Sequence, residues 1–118
     1  MLNKLRDKVH QNAVDKGFWD KKPELGTSLM LVVSELAEAL EADRDGSKCT
    51  ALSEPPAFTE DFKLWFRSNV KDTVEDELAD TIIRVLDICG AYHIDIQKHI
   101  DLKMLYNSKR IKLHGKKY

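Results

Sequence analysis

Ser34-Glu35-Leu36-Ala37-Glu38-Ala39-Leu40-Glu41 sets three acids on one helical stretch and gives them no partner. It lies within a segment, Pro23 to Asp43, where Leu25, Leu29, Val32, Val33, Leu36 and Leu40 recur at three-and-four spacing, the pattern of a helix that turns an apolar stripe toward a core. Each helical residue rotates the direction by about 100°, so Glu35 and Glu38 project from one flank with Glu41 on the next turn. A solvated face carries Lys or Arg three or four residues from its acids, yet no Lys, Arg or His occurs from Pro23 to Asp43. The pattern therefore anticipates a cation from outside this helix.

A second acidic pair answers the first. Glu77 and Asp80 stand three apart in Val74-Glu75-Asp76-Glu77-Leu78-Ala79-Asp80-Thr81-Ile82-Ile83, beside a stripe of Val74, Leu78, Ile82, Val85 and Cys89. Two helices packed by their stripes would bring Glu35, Glu38, Glu77 and Asp80 to one seam. Oxygen-only ligands suit a hard divalent ion, Mg²⁺ with Mn²⁺ as the alternative, and Mg²⁺ commonly combines a few carboxylates with substrate phosphates. Arg84, four residues after Asp80, offers a plainer reading of that acid as half of a surface ion pair worth under about 1 kcal/mol. It leaves Glu35 and Glu38 unexplained.

The 118 residues suit one domain spanning 1–118 with a core of three to five helices. Hydrophobic content of 42% with 33% charged residues is globular, and a formal net charge of −1 gives no reason to expect a nucleic-acid polymer or a membrane surface as partner. The charge is uneven, because Lys103, Lys109, Arg110, Lys112, Lys116 and Lys117 crowd a C-terminal stretch without an acid. Cys49 and Cys89 form neither a CxxC nor a zinc pattern, and neither a signal peptide nor a membrane span is evident. The simplest home is the cytoplasm, with Cys89 as a small core residue and a disulfide to Cys49 left open.

A short amphipathic helix is expected over Leu2 to Lys16, ended by Gly17. Phe18 and Trp19 follow, either as a clasp on the start of the next helix or as surfaces for base stacking. Asp45 to Thr50 and Pro55-Pro56 read as loop, then Phe62, Trp65 and Phe66 suggest a short helix between Thr59 and Ser68. Those aromatics fit a core or subunit contact first and a nucleotide lid second. The next helix is expected from Val70 or Asp72 to Ala91, and His93 falls in a turn. Asp95 is the expected N-cap of a last helix from Ile96 to about Ile111. There Lys103, Asn107 and Arg110 share a face that spacing alone would call solvated, and the tail around Lys116 is either frayed or a phosphate clasp. No Gly-rich phosphate loop, Ser/His/Asp arrangement or HExxH pair occurs. The fold class is all-α, a bundle of four to five helices.

Glu35-x-x-Glu38, then Glu77-x-x-Asp80, then Lys103, Asn107, Arg110 and His114-Gly115-Lys116 in order resembles the MazG-like branch of the all-α nucleoside triphosphate pyrophosphohydrolases. The likeness runs from about Phe18 to Lys116. It implies a bundle completed by association into a homodimer or homotetramer, and Mg²⁺-dependent hydrolysis of a (deoxy)nucleoside triphosphate to monophosphate and pyrophosphate. It further implies Glu35, Glu38, Glu77 and Asp80 as metal ligands, and Lys103, Asn107 and Arg110 as substrate contacts; Trp19, by base stacking, and Lys116, as a phosphate clasp, are the other substrate-binding candidates. Many members carry a further Glu before the first motif acid, where this chain has Ser34, so orienting the attacking water falls to Glu38, to Glu41 or to metal-bound hydroxide. The longer gap between Glu38 and Glu77 holds the Pro-Pro loop and the aromatic segment. A narrower dUTP, dCTP or phosphoribosyl-ATP pyrophosphohydrolase, and a catalytically silent metal-binding oligomer, are the alternatives.

Overall fold

A computed structural model describes residues 1–49 and 60–118, with Glu60 by its backbone alone. Five helices follow one another: α1 (Leu2–Asp15), α2 (Leu25–Arg44), α3 (Glu60–Asn69), α4 (Val74–Ala91) and α5 (Ile96–Ser108), with a short 3₁₀ turn at Lys112–Gly115. No strand occurs among the described residues, and no helix among them is long and apolar enough to cross a membrane. The chain forms two compact units, one of Met1–Asp20 with Leu86–Tyr118, the other of Lys21–Val85. The expected loop at Pro55-Pro56 and the start of the aromatic helix at Thr59 lie outside the described residues.

Local chemistry sets the helix ends. After α1, Gly17 takes φ +85° and donates to Val14, while Phe18 donates to the Ala13 carbonyl, which satisfies the last turn of the helix. Gly46 repeats this arrangement after α2, donating to Asp43 as Ser47 donates to Ala42. Helix α2 begins at Leu25 rather than at Pro23, because Glu24 holds an extended backbone (ψ 145°). Helix α4 begins at Val74, later than expected, because Asp72 turns left-handed (φ 65°) and Thr73 accepts from the Asp76 amide at its start. Asp95 caps α5 by accepting from the Lys98 amide, as its position predicts. Helix α5 stops at Ser108, short of Ile111, since Ile111 is extended and Leu113 and His114 have positive φ.

In the first unit α1 packs along α5. The Leu2 amide donates to Gln97, Asn3 and Asp95 share a 2.8 Å hydrogen bond, and Arg6 donates to the Ile94 carbonyl. Leu86, Ile88 and Cys89 are buried. Burial pushes the Cys89 thiol up, against the pull of the Arg6 charge, and both cysteines are free thiols.

The second unit departs from the expected core. The stripe residues Leu25, Leu29, Val33, Leu36 and Leu40 of α2, with Leu78, Ile82 and Val85 of α4, remain 37–57% exposed. The buried line of α2 is instead Ser28, Glu35, Ala39 and Ala42, about a quarter turn away. The two helices therefore do not pack by their stripes. Small side chains along the inward line leave room for carboxylates, and those carboxylates find one another and an arginine there. Phe62, Trp65 and Phe66 cluster on α3, with ring centroids 6.2 and 6.1 Å from Phe62, and all three are half-buried.

Candidate functional site

Helix α4 turns Glu77, Asp80 and Arg84 to one side at spacings of three and four, and that side carries the buried Glu77. Glu35 on the inward line of α2 meets it. Glu35, Glu77 and Asp80 each bring a carboxylate oxygen to within 4.8 Å of the others, two of these acids buried and the third half-buried. Around a Mg²⁺ ion with oxygens at about 2.1 Å, neighbouring ligands stand about 3 Å apart and opposite ones about 4.2 Å. The three acids thus fit a hard divalent ion after a small contraction. Asp72, Asp76 and Glu77 form a second, more exposed group of the same size, in which Asp72 already pairs with Lys71.

Gathering acids out of water has visible electrostatic consequences. Burial, followed by the charges of Glu38 and Asp80, pushes Glu77 up to about 7. Burial and then the charges of Asp76 and Glu35 raise Asp80, while Arg84 pulls it back. Glu35 goes the other way: burial raises it, but the hydrogen bond from Arg84, followed by the interaction with Glu38, outweighs burial and holds the group below its ordinary value. Glu38 is raised, first by its hydrogen bond to Glu35 and then by the charge there.

Arg84 does not make the surface ion pair that is the plainer reading of Asp80: its Nε donates to Glu35, 49 residues away. The signal was present, because Arg84 lies seven residues after Glu77 and so returns to the face that Glu77 occupies. Glu38 is exposed at the edge of the group, and Glu41 stands apart from it, paired with Arg44 at 3.0 Å. Ser34 donates to the Leu31 carbonyl of its own helix.

Trp19, Lys103, Asn107, Arg110 and Lys116 all belong to the other unit. There, Trp19 Nε1 donates to both oxygens of Asp87, at 2.9 and 3.1 Å, and its ring meets the edge of His10, whose Nδ1 lies 2.7 Å from the same carboxylate. Phe18 is 71% exposed and so is no clasp. Lys103 and Arg110 both lie over the Tyr106 ring, at 5.2 and 5.3 Å, and Lys116 is exposed. Asn107 is half-buried, and its Oδ1 is buried without a hydrogen-bond donor among the described residues. Asp87 and His10 carried no functional expectation, since a lone Asp and a lone His on different helices have no spacing to connect them. The chain matches no family model, no curated protein and no solved structure.

Proposed function

We propose that the chain is a Mg²⁺-dependent nucleoside triphosphate pyrophosphohydrolase, which splits its substrate between the α and β phosphates into a monophosphate and pyrophosphate in nucleotide-pool house-cleaning. One observation carries this reading: an oxygen-only group of Glu35, Glu77 and Asp80, on two helices, in which Arg84 pairs with Glu35 alone among the described residues. Structural acids are normally hydrogen-bonded or paired when removed from water, so an acid cluster this poorly compensated supports a cation-binding role. Glu35, Glu77 and Asp80 would hold the ion, with Glu38 at their edge. A bound divalent ion would neutralise phosphate charge and acidify a water molecule.

The remaining work falls to the chain itself. Glu38 is exposed, hydrogen-bonded to Glu35 and raised above its usual value, which suits a group that takes the proton of the attacking water. As water forms its bond to phosphorus, the bond to the bridging oxygen breaks and pyrophosphate leaves. Glu41, held by Arg44 on the surface, is less suited to that task. Lys103, Asn107 and Arg110 are the proposed substrate contacts by resemblance, and Trp19 and Lys116 by residue type alone; the orphaned Oδ1 of Asn107 is consistent with an unused acceptor. The open stripes of α2 and α4 support self-association as a homodimer or homotetramer.

The test is pyrophosphate release from each common ribo- and deoxynucleoside triphosphate, with Mg²⁺ and with chelator, in wild type, Glu38→Gln and Asp80→Asn. Metal-dependent release, lost in both variants while helix content is unchanged, is the expected result. Release that survives chelation or Asp80→Asn overturns the reading. A second reading, the catalytically silent oligomer, is favoured by the guanidinium already seated on Glu35. The absence of release from any triphosphate and from phosphoribosyl-ATP would select it.

A further inference from the structure

We infer that Arg84 is a tethered cation that occupies the charge position of the acid cluster and yields it to a divalent ion, and so sets how tightly the cluster takes that ion. The inference rests on the metal-dependent reading above and adds a role for a residue outside the ligand set.

Four features of Arg84 support it. Its Nε donates to the carboxylate of Glu35, a residue 7% exposed, so the guanidinium contacts a carboxylate drawn away from water. It does so with one nitrogen: the two terminal nitrogens make no hydrogen bond among the described residues. A permanent arginine–carboxylate pair commonly uses two parallel donors, which add both energy and orientation, and a single Nε contact is the weaker arrangement. The Arg84 side chain is also 40% exposed, whereas that of Glu35 is 9% exposed, so the guanidinium can leave the carboxylate and remain hydrated. The cost of release is low on the arginine side and high on the glutamate side. Finally, among the described residues Arg84 pairs with Glu35 and with neither Glu77 nor Asp80, so the group retains capacity for a second or stronger cation.

Arg84 and a divalent ion then compete in two ways. Both want the lone pairs of Glu35, and two cations on one carboxylate repel each other. Linkage makes the outcome measurable, because any stabilisation that Arg84 supplies to the ion-free protein and not to the ion-bound protein appears as lost affinity for the ion. The opposite role, in which Arg84 aims Glu35 at the ion, has the opposite sign.

The experiment is titration calorimetry of the full chain with Mg²⁺ and with Mn²⁺, for wild type, Arg84→Met and Arg84→Lys, alongside Tm in chelator and at saturating Mg²⁺. Arg84→Met is expected to bind the ion about tenfold more tightly. Its Tm should fall below wild type in chelator, and the gap should close when Mg²⁺ saturates the site. Arg84→Lys, which keeps the charge, should stay close to wild type in both. If Arg84→Met does not fold without the ion, Arg84→Gln keeps a donor without the charge and carries the same expectation. Unchanged or weaker ion binding, or an equal Tm loss with and without Mg²⁺, overturns the inference. Wild type that binds neither ion removes the metal-dependent reading itself, whereas tight wild-type binding with no gain in Arg84→Met removes only the role of Arg84.

Discussion

Asp87 and Glu77 lie on the same helix, α4, and both are drawn away from water, yet their neighbours differ in kind. Asp87 receives the indole N–H of Trp19 on both its oxygens and the imidazole of His10 on one. Glu77 faces Glu35, Asp80 and Asp76, and burial with those charges pushes it up to about 7. A carboxylate supplied with donors from its own chain is a fastening, because its desolvation is offset by bonds that exist only in the folded state. A carboxylate surrounded by others costs stability unless something arrives to compensate it. The contrast separates a carboxylate met by donors from one met by other acids on one helix, where residue type alone does not.

The comparison can be broken first at Glu77. Its raised value in the fold, against about 4.5 in the unfolded chain, means that its contribution is fully present below about pH 4.5 and is lost as pH rises through about 7. In chelator, Glu77→Gln should therefore match wild type near pH 4 and become more stable than wild type at pH 8, by up to about 3 kcal/mol. Urea midpoints at the two pH values measure this, and equal differences at both would show Glu77 to be ordinary.

Asp87 should behave in the opposite sense. Asp87→Ala leaves an indole and an imidazole without their acceptor and should cost about 2–3 kcal/mol at either pH, with or without Mg²⁺. A variant as stable as wild type would reduce the His10–Asp87–Trp19 group to a surface contact.

Two smaller changes sharpen the donor-rich side. A methyl group on Gly90 would sit 2.5 Å from His10 Cβ, an atom fixed to the backbone of α1. Gly90→Ala should therefore destabilise by about 2 kcal/mol, despite the roughly 1 kcal/mol that alanine gains over glycine inside a helix. A stabilised Gly90→Ala would mean that α1 shifts freely. Asp95 is an exposed acid with two donors, the Lys98 amide and Asn3, which together hold it below the usual carboxylate range. Asp95→Ala should cost about 1 kcal/mol in thermal unfolding, the ordinary value of a lost helix cap. No change in Tm would show that donors matter only where water is excluded.

Much of this was legible in the chain because it is local. Gly17 after α1, His93 in the turn after α4 and Asp95 before α5 act through bonds that span a few residues, so residue type and position suffice. The same holds for the helices that carry Glu35, Glu38, Glu77 and Asp80, where three-residue spacing puts each pair on one flank. The stretch from Pro23 to Asp43 holds no cation to meet Glu35, and Arg84 meets it from α4.

What the sequence by itself determined is therefore the all-helical class, the helix ends set by local caps and the acids available on each helix flank. Only the tertiary structure decided which flank turns inward. An apolar stripe reports that a face can be buried, but burial is a competition among surfaces far apart in the chain, and here Ser28, Glu35, Ala39 and Ala42 won over the leucines of α2. Tertiary structure likewise decided that Arg84 answers Glu35 rather than Asp80, and that Asp87 gathers His10 and Trp19. Such pairings join residues 49 to 77 positions apart, and no local periodicity encodes them.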